Sequence, residues 1–169
     1  MSEKTVAAPP APFWSLAPYR PCALLPLRLI VGYGFLAHGI AKLQRGPELF
    51  IATLDGLGVP LAPLMGWLTI VVEVLGGLAV LLGAFTLLVS VPLAIILLVS
   101  IFAVHLPFGF SSIKLQSVTE AGPKFGQPGY EMSLLYLAGL VSLVLSGPGP
   151  WSIDRRREQR RQTSQSVVQ

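Results

Sequence analysis

An all-α, membrane-embedded four-helix bundle is the fold that this sequence predicts, and three observations predict it. Hydrophobic residues make up 53% of the 169-residue chain and charged residues 12%, about half the charge of an average soluble domain. The mean hydropathy is +0.68. A water-soluble domain this apolar would expose large sticky patches, whereas a bilayer accepts such a surface. Four apolar runs, about 22–43, 61–84, 85–106 and 130–146, each approach the roughly 20 residues needed to cross the hydrocarbon core. Backbone N–H and C=O groups in hydrocarbon need internal partners, so these runs should be helices.

The elements follow in order. Residues 1–20 contain four prolines and no apolar stretch ahead of a cleavage site, so they read as a disordered lead rather than a signal. Phe13, Trp14 and Tyr19 suit the membrane interface, where aromatic rings are favoured. Residues 21–150 form the transmembrane domain. After the first helix, Glu48, Leu49, Ile51, Ala52, Leu54 and Leu57 suggest a short helix lying along the surface, ended by Gly56, Gly58 and Pro60. The second and third runs meet at Gly83-Ala84-Phe85-Thr86, where a tight turn fits the combined length, and Pro92 then falls in the first turns of the third helix. The segment Pro107–Gly129 is too polar to span and too long for a plain turn, a length often associated with function or mobility. The fourth run is the shortest. Residues 151–169 form a basic tail.

Charge orients the chain. Lys4, Arg20 and the five arginines Arg155, Arg156, Arg157, Arg160 and Arg161 share one side if the number of spans is even. Lys42, Arg45, Lys114 and Lys124 take the other. The excess of basic residues places both termini in the cytoplasm. The arginine cluster directly follows a span, so it is read as a topology determinant at the bilayer surface and not as a nucleic-acid site. Cys22 is the lone cysteine; it excludes an internal disulfide or a dithiol redox pair within the chain and is read as packing.

The polar residues inside the apolar runs carry the functional information. A charge at mid-membrane costs about 2.5–3.5 kcal/mol and normally faces the bundle interior with a partner or a task. In the first helix Arg28, Gly32, Phe35, Gly39 and Lys42 fall on one stripe, with His38 beside it. In the second, Gly66, Thr69, Glu73, Gly76 and Gly77 share a face. Glu73 is open to two readings: a carboxylate held by an interhelical hydrogen bond or by Arg28 to fix packing, or a proton-handling or cofactor-binding group. His105 ends the third helix, as an interface anchor or a site residue. Glu131 opens the fourth, as a complement to the helix dipole or a site residue, and Lys42 either snorkels to the headgroups or joins them. His38, Lys42, His105 and Glu131 are all expected in the outer half of the bundle, forming a polar pocket roofed by the 107–129 segment with Phe108 and Phe110 as apolar walls. Arg28 is expected near the cytoplasmic side, with Glu73 between. Phosphate-loop and zinc-ligand spacings are absent, and no metal site is expected.

Several of these pieces resemble the DoxX family of bacterial integral membrane proteins. They are Arg28-Leu29-Ile30-Val31-Gly32, Phe35-Leu36-Ala37-His38-Gly39 with Lys42, Glu73-Val74-Leu75-Gly76-Gly77, His105 with Gly109-Phe110, Gly129-Tyr130-Glu131, and the close Gly147-Pro148-Gly149-Pro150-Trp151-Ser152-Ile153-Asp154. The resemblance covers about 25–154 and implies a four-helix protein of the bacterial inner (plasma) membrane. Some relatives are linked to quinone-dependent oxidation of sulfur compounds, others to complexes that handle oxidative stress.

The expectation that follows is a subunit of a membrane redox complex, with quinone as its cofactor held by His38, Lys42, Glu73, His105, Glu131 and Arg28. The chain shows no electron carrier of its own, so a protein partner subunit would supply one; membrane lipid and a second copy are the other expected partners. The alternative is a non-catalytic scaffold or assembly subunit, whose polar groups fix packing and docking. Haem ligation by His38 and His105 is weakened by their different depths, and transport by the lack of inverted repeats.

Overall fold

The computed structural model describes residues 17–147 and 149–166. A 3-10 helix, Ala17–Cys22, leads into α1 (Leu25–Arg45), α2 (Pro47–Gly56), α3 (Ala62–Leu82) and α4 (Thr86–Ser100). A π turn over Ile101–His105 and a 3-10 turn over Leu106–Phe108 extend α4. Two short strands follow, β1 (Leu115–Thr119) and β2 (Gly122–Phe125), paired antiparallel. Then come α5 (Glu131–Ser146) and α6 (Ile153–Ser166).

Among the described residues, three stretches are long and apolar enough to cross a membrane: Tyr19–Arg45, Ala62–Leu82 and Thr86–Phe108. α5 is apolar but shorter. α1 packs on α3, α3 on α4, α4 on α5, and α5 back on α1. Their inner faces meet in a core that includes Val31, Phe35, Val80, Leu93, Leu140 and Leu143. Their outer faces expose large apolar side chains, among them Leu29, Ile30, Leu68, Leu75, Leu88 and Ile95. Water would not tolerate that coat, and acyl chains do.

Close backbone approach explains the small residues. A Cβ at Gly32 would lie 2.7 Å from the Leu81 amide nitrogen, and one at Gly77 would lie 2.5 Å from that of Leu36. Only hydrogen at these positions lets α1 and α3 touch backbone to backbone. The face shared by Gly66, Gly76 and Gly77 is divided among three neighbours. Gly77 faces α1, Gly76 meets Leu93 of α4, and Gly66 meets Ile51 of α2.

The sequence-based boundaries shift in informative places. The last residues of the expected lead, 17–20, belong to the 3-10 helix, while residues 1–16 lie outside the described set. The tight turn at 83–86 forms through two left-handed residues, Gly83 (φ 61°) and Phe85 (φ 51°). The 107–129 segment folds into the β-hairpin, a departure from an all-helical chain. Its base is zipped by backbone bonds from Gly129 to Ser111, Tyr130 to Gly109 and Glu131 to Phe110.

The start of the basic segment is packed against the helices. Ser152 is buried, and the Asp154 amide donates to the Gly83 carbonyl at 3.0 Å. The Asp154 carboxylate then accepts from the Phe85 amide (2.8 Å), the Thr86 amide (2.9 Å) and the Thr86 hydroxyl (3.1 Å). α4 has no side-chain cap from Phe85, so an acid 68 residues further on, by the separation from Thr86, satisfies its first amides and complements its dipole. Asp154→Ala is expected to lower stability by about 1–2 kcal/mol, read as a lower unfolding midpoint in detergent, with Asp154→Asn retaining most of the cap.

Candidate functional site

The residues toward the C-terminal end of α1 build the site. The stripe residues Arg28, Gly32, Phe35 and Gly39 are buried, which turns Lys42, one further step along, toward α3. Its Nζ lies 2.5 Å from Oε2 of Glu73. The Glu73 side chain is 6% exposed and that of Lys42 21%. Lys42 also stands over the Phe50 ring, 4.8 Å from its centroid, so a carboxylate and a π face share one ammonium.

Gly46 makes the turn that brings Phe50 there. Its φ of 94° is open to glycine and strained for other residues. Pro47 then starts α2 at the position where a missing N–H costs nothing. Between α1 and α2 runs an open groove of about 380 Å³, lined by His38, Ala41, Lys42, Arg45, Gly46, Leu49, Phe50 and Thr53. His38 is exposed on this side. The groove therefore offers an imidazole, a guanidinium and an ammonium beside an aromatic ring, with a buried carboxylate behind the ammonium.

The structure distributes the other expected site residues differently. Arg28 is buried at the far end of α1, where its Nη1 donates to the Pro150 carbonyl at 3.1 Å and sits against Gly83. Gly83 is ten residues beyond Glu73, about 15 Å of helical rise, so the carboxylate pairs with Lys42, in place of the Arg28 pairing expected as one option. His105 Nδ1 is 3.0 Å from the Pro128 carbonyl. The Glu131 carboxylate accepts from the Ser112 amide at 2.9 Å, and the Ser112 hydroxyl accepts from the Met132 amide at 3.3 Å, capping α5 in return. Phe110 packs edge-to-face on Tyr130 at 5.7 Å. Of the four residues expected to converge in the outer half, His38 and Lys42 line the groove, while His105 and Glu131 clasp the two ends of the hairpin segment.

Phe50 and Thr53 were not among the expected site residues. Phe50 follows Leu49 in a segment whose apolar periodicity marked a helix, but nothing in the spacing showed that α2 folds back over Lys42. Tyr136 was missed for the same kind of reason. It stands edge-on to Phe35 at 5.5 Å, and the missing side chain of Gly34 makes room for its hydroxyl. Among the described residues no group of three or more His, Cys, Asp or Glu is placed to hold a metal.

Apolar helices of spanning length with an apolar coat, two of them joined by a part-buried ion pair, define an integral membrane protein. The chain belongs to the DoxX family: residues 23–106 match it. It is 33% identical over 157 residues to a Mycobacterium tuberculosis (strain ATCC 25618 / H37Rv) protein described as an uncharacterized membrane protein, covering 89% of this chain and 91% of the relative. No solved structure matches.

Proposed function

We propose that this chain is a quinone-binding subunit of a membrane redox complex, and that the groove between α1 and α2 takes the quinone ring. The groove carries the reading. Quinone carbonyls are acceptors, and His38, Lys42 and Arg45 line the groove with donors. Phe50 supplies a face for the ring, and a titratable imidazole suits a reaction that takes up protons. Electrons come from a partner subunit. In purified protein the expected result is enrichment of quinone over the bulk membrane ratio, with His38→Ala and Phe50→Ala each reducing retention about tenfold. Equal retention in both variants defeats the assignment.

The same proposal includes four spans, α5 being the fourth. Its 16 residues rise about 24 Å, and local thinning or the flanking chain makes up the difference to the ~30 Å core. An even count agrees with the meeting of Pro21 and Pro150 around one groove, which puts the segment before α1 and the segment after α5 side by side. The basic-residue excess of α6 and Arg20 supports reading that side as the cytoplasmic face of a bacterial inner membrane, with α2 on the opposite side.

One observation favours a scaffold instead. Glu73, Arg28, Glu131 and Asp154 all commit polar atoms to partners within the protein. A scaffold predicts that His38→Ala changes partner assembly while quinone content stays at the background level of the membrane.

A further inference from the structure

The C-terminal helix is docked. Its first turn is held by the Asp154 bonds to α4 and Gly83 and by the Ser152 hydroxyl, which accepts from the Arg155 amide at 3.2 Å. Arg155, Arg156 and Arg157, which lie near the beginning of α6, therefore stand at a docked helix start. Helical spacing sorts them. Arg155, Arg156 and Gln159 join Pro21, Pro150, Trp151 and Ser152 around a groove of about 290 Å³. Arg160, one turn after Arg156, continues that face. Arg157 points elsewhere, with its guanidinium 4.4 Å from the centroid of the Phe85 ring.

The chemistry of this groove is specific in kind. Two guanidinium-bearing residues line it and no carboxylate does. Of the two acids on α6, Asp154 is spent on α4 and Glu158 is not part of the lining. Two prolines and an indole complete the wall, and Trp151 is 71% exposed. The groove lies where apolar helices end, the depth of lipid headgroups, and where an exposed tryptophan is favoured. Guanidinium forks match phosphate oxygens in pairs, while the apolar wall suits the glycerol and upper acyl chain.

We propose that this groove binds the headgroup of an anionic phospholipid, with Arg155 and Arg156 on the phosphate and Trp151 against the glycerol region. The site is at the opposite end of α1 from the His38 groove and does not depend on a quinone there. Bound lipid would tie α6 to the 3-10 helix that precedes α1.

The test uses the full chain in neutral detergent, titrated with phosphatidylglycerol or phosphatidylcholine, with retained lipid read by native mass spectrometry. The wild type should retain phosphatidylglycerol roughly tenfold or more over phosphatidylcholine. Arg155→Gln/Arg156→Gln should abolish most of that preference. Both residues are exposed, so the substitutions remove no buried contact. Arg161→Gln/Lys124→Gln removes the same charge elsewhere and should keep the preference. An equal loss in both double variants would mean diffuse attraction and overturn the site. So would a wild type without preference, or millimolar inorganic phosphate displacing the lipid, which would mark a free-anion site.

Discussion

Gly77→Val is expected to cost about 3 kcal/mol or more, with the unfolding midpoint in detergent falling accordingly. The reason is geometric. A Cβ at Gly77 would sit 2.5 Å from the Leu36 amide nitrogen and 2.8 Å from the Gly32 carbonyl oxygen. Both are backbone atoms, so no side-chain rotation relieves the clash; α1 and α3 must move apart along their whole contact. That separation also pulls Lys42 from Glu73 and opens the Phe35–Val80 core. Gly77→Ala should show a smaller loss of the same sign, and Gly32→Ala, whose Cβ would meet the Gly77 carbonyl oxygen at 2.9 Å, should resemble it. Gly56→Ala is the control. Nothing lies within 4 Å of the added carbon there, and stability should stay the same or rise slightly through helix propensity.

The second large effect belongs to the ion pair. Lys42→Met leaves the Glu73 carboxylate buried between α1 and α3 without its cation, an expected loss of about 3–5 kcal/mol. Glu73→Leu strands the ammonium less severely, because Lys42 is the more exposed partner, lies in the last turn of α1 where a cation complements the helix dipole, and keeps the Phe50 ring. The double variant Lys42→Met/Glu73→Leu should recover most of the loss, since an apolar pair needs no desolvation. A double-mutant cycle read from unfolding midpoints measures the coupling. If both single variants are as stable as the wild type, the pair does not hold α1 to α3. If the double variant is as stable as wild type yet loses quinone, the pair serves the site more than the fold.

Much of this structure was legible from residue patterning, and particular residues show why. Arg28, Gly32, Phe35, Gly39 and Lys42 lie at alternating spacings of four and three, so a helix puts them on one side regardless of what they meet. The 83–86 turn was legible because no other short segment separates two spanning lengths. The short helix in the first connection appears at Pro47–Gly56, where the apolar periodicity pointed. What failed to show was long-range pairing. Glu73 was open to Arg28 or another partner. Asp154 was visible only as part of a closing motif, yet it caps a helix that begins at residue 86. The β-hairpin was hidden because Leu115–Phe125 alternates weakly and its base is closed by backbone bonds between 109–111 and 129–131.

Transfer of apolar side chains out of water is additive along the chain, and helical periodicity is local, so the membrane habitat, the helical spans and the buried faces were already written in residue order. Which cation meets the buried acid, where the chain's end docks, and which polar groups share a groove depend on how α1, α2, α3 and the C-terminal segment stack. Those contacts join residues 31 apart in the Lys42–Glu73 pair and 122 apart in the Arg28–Pro150 bond, and a hydrogen bond needs its partners within about 3 Å. No spacing rule reaches that far; only the packed helices bring such groups together.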